Sequence, residues 1–321
     1  MADKAPMLNK DTSAERLLVM LNTALGPRVG ALLSDENVIE LMLNQDGKLW
    51  ADRLGKGREF TGHTISPEDA ERIIKLVASG SGSQCNELNP ILSAEFPGSG
   101  SRFQGILAPV VSAPVFSIRK KALMIFSLED YLKQGILSPS QKELIQVAVQ
   151  KRRNILIVGG TGTGKTTFAN AILHEIAKTG ERIVIIEDTL ELQCSAPDTV
   201  FLRARDGLAT MNDLLKATMR LRPDRIVVGE VRGCEALSLL KAWNTGHPGG
   251  CATVHANSAP GGLTRLEQLV QEAVITVSRE LIAEAVNLVV HIDRCGRGRR
   301  IREIIRVDGV ENGKYQTTRI D

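Results

Sequence analysis

Residues 154–178 read NILIVGGTGTGKTTFANAILHEIAK. Ile155–Val158 is a short, wholly apolar run, the pattern of a strand buried on both faces of a parallel sheet. A glycine-rich turn follows, and then a helical pattern over Thr166–Lys178. The turn, Gly159-Gly160-Thr161-Gly162-Thr163-Gly164-Lys165-Thr166, fits G-x-x-x-x-G-K-[ST] between a strand and a helix, the context that separates this motif from a chance glycine-rich loop. Glycines let the backbone curl so that successive N–H groups point at phosphate oxygens. The helix N-terminus adds partial positive charge. Lys165 is positioned for β and γ phosphates and the Thr166 hydroxyl for Mg²⁺, with Thr167 next in the helix. ATP and Mg²⁺ are therefore the expected ligands.

Downstream, Arg182–Ile186 and Ile226–Val228 are further apolar strands. Strand, helix and strand in this order predict an α/β fold with a doubly wound parallel sheet. Ile185-Ile186-Glu187-Asp188-Thr189-Leu190-Glu191 sets three carboxylates at a strand's C-terminal end, the edge where ligands bind in open α/β sheets; a solvated helix start is the competing reading. Arg225-Ile226-Val227-Val228-Gly229-Glu230 is a second strand ending in a carboxylate. Gly229 stands where many P-loop enzymes carry the Mg²⁺-binding Asp, so Mg²⁺ is held mainly by Thr166 and waters, or by Glu230 through water. Glu230 is also a candidate for orienting the attacking water, against the plainer alternative of an ion pair with Arg232. In residues 246–257, GHPGGCATVHAN, His247 and His255 flank a short small-residue strand. Zinc lacks third and fourth ligands at suitable spacing, which leaves phosphate sensing or a link to the neighbouring strand.

Towards the N-terminus, Leu17, Leu18, Leu21 and Leu25 share a helical face that Gly26-Pro27 ends. Val38–Leu43 and Lys48–Leu54 flank Asp46-Gly47, a hairpin signal. Ser66-Pro67 opens a helix through Val77. Strands are expected over Arg102–Val111 and Val115–Arg119. Pro139 starts a helix to about Arg153. Near the C-terminus, Val286–Ile292 and Ile301–Val307 flank Cys295-Gly296-Arg297-Gly298 as an antiparallel hairpin. The basic stretch Arg294–Arg302 reads as its solvent-facing tip, with DNA, acidic lipid or an acidic neighbour as alternative contacts. The expected organisation is a smaller α+β domain over 1–122, a linker over 123–138 and a P-loop domain over 139–321.

The 321 residues are 43% hydrophobic and 24% charged, with 40 basic against 37 acidic side chains and a net charge of +3. This balance does not call for nucleic acid, and 3% aromatics argues against base-stacking modules. The cysteines at 85, 194, 234, 251 and 295 form no CxxC. A reducing cytoplasm is expected rather than a zinc or disulfide framework. The polar start MADKAPMLNKDTSAER lacks a signal-peptide core, and no run approaching the roughly 20 apolar residues of a membrane span is read.

The P-loop, the IEDTLE acidic box, RPDRIVVGEVRG and GHPGGCATVHAN occur in the order found in secretion-superfamily traffic ATPases. The chain resembles the hexameric ATPases of type IV secretion systems. The resemblance covers roughly residues 139–275 and extends to the first domain through GSGSRFQGILAPVVSAPVFSIRK. It implies a RecA-like P-loop domain, a homo-hexameric ring and ATP between the two domains. It further implies that Lys165 and Thr166 hold the phosphates and Mg²⁺, that Glu187 lies in the nucleotide site, and that Glu191 and Glu230 polarise water. Arg102 and Arg119 match arginines brought from the N-terminal domain, and His255 lies near the γ-phosphate. Partners would be inner-membrane components of a secretion or conjugation channel, with the protein cytoplasmic and peripheral at that membrane. A RecA-like DNA translocase, a type II secretion or pilus ATPase and a nucleotide switch without turnover are the alternatives. The cysteine spacing excludes the tetracysteine zinc module of many type II relatives.

Overall fold

The structure is a computed structural model that describes residues 10–121, 125–205, 207–296 and 298–320. Residues 1–9 and Ala122 of the expected first domain, Leu123 and Met124 of the expected linker and Arg297 of the expected turn lie outside the described residues. The chain divides into two compact units, Met1–Leu123 and Met124–Asp321.

The first unit contains α1 (Lys10–Ser34), β1 (Val38–Leu43), β2 (Lys48–Arg53), β3 (Gly57–Thr64), α2 (Pro67–Gly80), β4 (Ile91–Phe96), β5 (Ser101–Ile106) and β6 (Val115–Arg119). Its described strands form one sheet in the order β3-β2-β1-β6-β5-β4. Two antiparallel meanders are thus joined by the β1–β6 pair. Alternation puts Leu41, Ala51, Phe103 and Ile118 on the face that packs against Leu21, Leu25, Ile73, Ile74 and Val77 of the two helices. Ser66 caps α2 by accepting from the Asp69 N–H, with Pro67 in the first turn.

Gly26-Pro27 ends the first helical segment of α1, as the sequence predicts. Gly26 leaves helical geometry at φ 71° and ψ 167°, and the helix resumes to Ser34. The buried Val29 beyond the break, in the same core as Leu21 and Leu25, accounts for the resumption. Among the described residues only Ser13–Ser34 is long and apolar enough, by length and composition, to cross a membrane, and the break at Gly26 divides it into two shorter helical segments.

The second unit contains α3 (Leu128–Lys133), α4 (Pro139–Gln150), β7 (Ile155–Gly159), α5 (Lys165–Ala177), β8 (Ile183–Glu187), β9 (Thr199–Arg203), α6 (Met211–Thr218) and β10 (Arg225–Val228). It continues with α7 (Glu235–Asn244), β11 (Cys251–His255), α8 (Ala259–Gln271), α9 (Arg279–Ala285), β12 (Leu288–Cys295), β13 (Gly298–Glu311) and β14 (Lys314–Ile320). The sheet order is β14-β13-β12-β7-β11-β10-β8-β9. From β12 to β9 every pairing is parallel, and β13 and β14 extend it antiparallel. Each face has its own core. Leu156, Val158, Val184, Ile226 and Val254 pack under α7 and α8, while Ile155, Ile157, Ile183, Ile185 and Val227 pack under α4 and α5. Every residue of β7, β8 and β10 is buried. At about 1.5–3 kcal/mol per buried aliphatic side chain, these strands anchor the unit.

The expected linker over 123–138 is corrected. Its described residues fold as part of the second unit, because Leu128, Tyr131 and Leu137 are buried against Ile145, Val149, Phe168 and Ile172. Ser127 and Asp130 form a capping box on α3, and Ser138 and Gln141 form another on α4.

Candidate functional site

In the second unit the chain leaves β7 and enters the sheet again at β8, beyond the positions later filled by β11 and β10. Such a switch point opens a crevice at the carboxyl ends of the strands. Five ends meet there: Gly159 of β7, Glu187 of β8, Gly229-Glu230 after β10, His255 of β11 and the start of α5. Register pairs His255 with Gly159 and Val228 with Ile186.

The loop itself demands its glycines. Gly162 and Gly164 have φ of 69° and 97°, the left-handed region. A Cβ on Gly159 would stand 2.3 Å from the Ile292 carbonyl oxygen. Thr163 Oγ1 donates to the Gly160 carbonyl at 3.0 Å, closing the loop on itself. Lys165 is buried, and its Nζ donates to the carbonyls of Gly159 at 3.1 Å and Gly160 at 3.0 Å. Thr166 and Thr167 follow, half-buried, in the first turn of α5.

From Lys165 a chain of charge runs across the crevice. Its Nζ lies 3.2 Å from His255 Nδ1. An ammonium can only donate, so Nδ1 accepts and the His255 proton is assigned to Nε2. That Nε2 is 2.6 Å from Glu230 Oε1, though off the line of a directed hydrogen bond. Arg232 Nε donates to Glu230 Oε2 at 2.6 Å, and its Nη1 donates to Asp188 Oδ2 at 2.5 Å. Burial, and next the Lys165 charge, hold His255 below the ordinary histidine range despite Glu230. It is neutral at pH 7 and suited to accept from Lys165.

The acidic box is a loop, not a helix start. Glu187 is buried, and its Oε1 accepts from the N–H groups of Glu191 at 3.0 Å and Leu192 at 2.9 Å. Its Oε2 is buried without a partner. Burial pushes the Glu187 carboxyl up to about 7, against the lowering effect of the two N–H donors. Asn170 of α5 holds the loop from the other side: its Nδ2 donates to the Glu191 carbonyl at 3.3 Å and its Oδ1 accepts from Gln193 N–H at 2.8 Å. The half-buried Glu191 carboxylate is engaged by no hydrogen bond or ion pair among the described residues.

The sequence-derived candidates thus divide. Lys165, His255, Glu230, Glu187 and the loop glycines converge. His247 does not, because it precedes β11 while His255 ends it. One strand of rise, about 3.3 Å per residue, separates them, so the two histidines cannot share a phosphate. Glu230 has both its functional neighbour, His255, and the plainer ion pair with Arg232. Arg102 and Arg119 lie in the first unit as directly opposed partners on β5 and β6. Register places Glu95 beside Arg102 and Glu40 beside Arg119 on the same sheet face, which offsets the repulsion of the two guanidinium groups. Asn170, which the sequence reading missed, carries no motif signal. The basic hairpin tip is solvent-exposed as expected, and from it Arg294 Nε also donates to the Gly162 carbonyl at 3.3 Å.

Three- or four-carboxylate or histidine clusters able to hold a metal are absent among the described residues. A Mg²⁺ ion that keeps most of its waters and takes phosphate oxygens needs little from the protein. The Thr166 hydroxyl at the start of α5 fits that demand.

A family model described as type II/IV secretion system protein matches residues 93–318. The chain belongs to this secretion family. The "Probable conjugal transfer protein TrbB" of Sinorhizobium fredii (strain NBRC 101917 / NGR234) is 50% identical over 306 residues, covering 95% of this chain and 94% of that protein. The "Type IV secretion system protein VirB11" of Bartonella henselae is 32% identical over 305 residues, covering 83% of this chain and 85% of that one. Among solved structures, the Yersinia pseudotuberculosis ATPase DotB matches with a TM-score of 0.59 at 19% identity, over 95% of this chain and 82% of that chain, a likeness of fold. This secretion-family protein is a P-loop traffic ATPase of the type IV secretion and conjugation group.

Proposed function

We propose that the chain is one subunit of a homo-hexameric ring in which ATP hydrolysis moves the first unit relative to a RecA-like second unit. The observation that carries the reading is the convergence of Lys165, His255 and Glu230 beside the glycine loop, at 3.2 Å and 2.6 Å. The loop N–H groups and Lys165 bind the phosphates, with Thr167 in the same helical turn. Thr166 is the ligand this chain offers to Mg²⁺, which when bound neutralises phosphate charge. Glu191, whose carboxylate no hydrogen bond engages among the described residues, and Glu230, fixed by Arg232 and His255, orient and polarise the attacking water. Arg119, supported by Arg102, supplies positive charge to the γ-phosphate from the first unit, so that hydrolysis changes what holds the two units together.

The motor serves a conjugative or type IV secretion channel. Its partners are inner-membrane channel components, and it works in the cytoplasm, peripherally bound to that membrane. The support is the 50% identity to a conjugal transfer protein over nearly the whole chain.

The test is steady-state phosphate release by the purified full chain, with the assembly's mass measured with and without ATP–Mg²⁺. Turnover by a six-subunit species, abolished in Lys165→Ala with its fold intact, is the expected result. Turnover by a Lys165→Ala protein at the parental rate overturns the site, and a monomer under all conditions overturns the ring.

A further inference from the structure

The hairpin of β12 and β13 lies against the phosphate loop. Besides the Arg294 bond to the Gly162 carbonyl, a Cβ on Gly162 would stand 2.6 Å from Arg294 Nη2, and one on Gly164 would stand 2.9 Å from Arg299 Nε. The missing glycine side chains are therefore what lets two guanidinium groups reach the loop. Arg294 is exposed and Arg299 half-buried.

Taken alone, this placement is electrostatically unfavourable. The N-terminus of α5 carries partial positive charge. It has neither a side-chain cap nor an acidic residue in its first turn. Lys165 adds another cation. Among the described residues neither Arg294 nor Arg299 forms an ion pair. The adjacent carboxylate, Asp293, accepts from the Arg294 backbone N–H at 2.7 Å and lies 3.5 Å from Arg302 Nε. Two guanidinium groups that form no ion pair among the described residues, gathered beside a helix N-terminus, call for a polyanion.

We infer that Arg294 and Arg299 bind the α- and β-phosphates of the nucleotide held by the same chain. The inference rests on ATP binding at the P-loop and adds two ligands that no motif marks. The arginines flank the middle of the loop, whose N–H groups cradle the α and β phosphates, whereas Lys165 extends to His255 on the side of the γ-phosphate. Their contact is therefore common to ADP and ATP and is made in the ground state. Guanidinium groups suit it through paired, charge-assisted bonds to phosphate oxygens.

The experiment is calorimetric titration of the full chain with ADP and with a non-hydrolysable ATP analogue. The proteins compared are the parental chain, Arg294→Gln, Arg299→Gln and the double variant, each with its nucleotide-free melting temperature. Each substitution is expected to weaken both nucleotides by the same factor, roughly tenfold. The nucleotide-free Arg294→Gln protein should still melt cooperatively, because that side chain is exposed and packs into no core. Unchanged affinities in the folded variants overturn the inference, as does a loss confined to the ATP analogue. If the double variant does not fold, the exposed Arg294→Gln is decisive by the same criteria. If the parental chain itself binds neither nucleotide, it is the ATPase site that fails rather than the role of the hairpin.

Discussion

Gly229 and Glu187 share one space: a Cβ on Gly229 would stand 2.8 Å from Glu187 Cγ. The two lie side by side at the ends of β10 and β8, just beyond the register pair Val228–Ile186. This explains the residue that departs from the usual P-loop pattern. The carboxylate in this part of the crevice comes from the neighbouring strand, and a side chain at position 229 would displace it. Glu187 in turn pins the acidic loop by accepting from Glu191 and Leu192.

Gly229→Ala is therefore expected to cost about 1–3 kcal/mol, the usual range for overpacking a tight site. It should also lower turnover, because Glu187 can no longer hold the loop that carries Glu191. Urea unfolding and phosphate release on the same preparation measure both effects. Parental values for both would show that Glu187 moves aside freely.

The raised Glu187 pKa makes a separate prediction about stability. The ordinary value is 4.5 and the folded value about 7. Between them the folded chain keeps a proton that the unfolded chain has lost, so this group's contribution to stability falls as pH rises through that window. Glu187→Gln cannot ionise and still offers an acceptor oxygen to the two N–H groups. Its stability relative to the parent should rise from pH 4.5 to 7, by at most on the order of 3 kcal/mol. Parallel unfolding curves across this range would refute the shift.

The two water-orienting candidates should behave differently. Glu191→Gln removes a carboxylate that no hydrogen bond or ion pair engages among the described residues, so kcat should fall by roughly 10²–10⁴ while nucleotide affinity holds. Glu230→Gln also loosens Arg232 and His255, so affinity should change together with kcat. Stopped turnover assays beside nucleotide titrations separate the two. A Glu191→Gln enzyme with the parental kcat would leave the water to Glu230.

What the sequence determined by itself was local. The short all-apolar runs at 155–158 and 226–228, set among turn signals, fit strands buried on both faces, and the glycine-rich turn between strand and helix fits a loop that curls its N–H groups inward. The α/β class and the P-loop follow from spacing within a few residues. The pairs that make the site are far apart in the chain, and periodicity does not encode distance. Lys165 meets His255, Glu187 meets Gly229, and Arg294 meets Gly162 because strand order puts β11, β10 and β12 where it does. Leu128, Tyr131 and Leu137 read as a connector because a six-residue helix is too short to show a period, and only a core waiting beneath them reveals their burial. The basic tip of the last hairpin read as solvated because charge favours water wherever nothing else competes. The tip is indeed exposed, but that Arg294 and Arg299 also lie beside Gly162 and Gly164 is a contact only the folded chain makes.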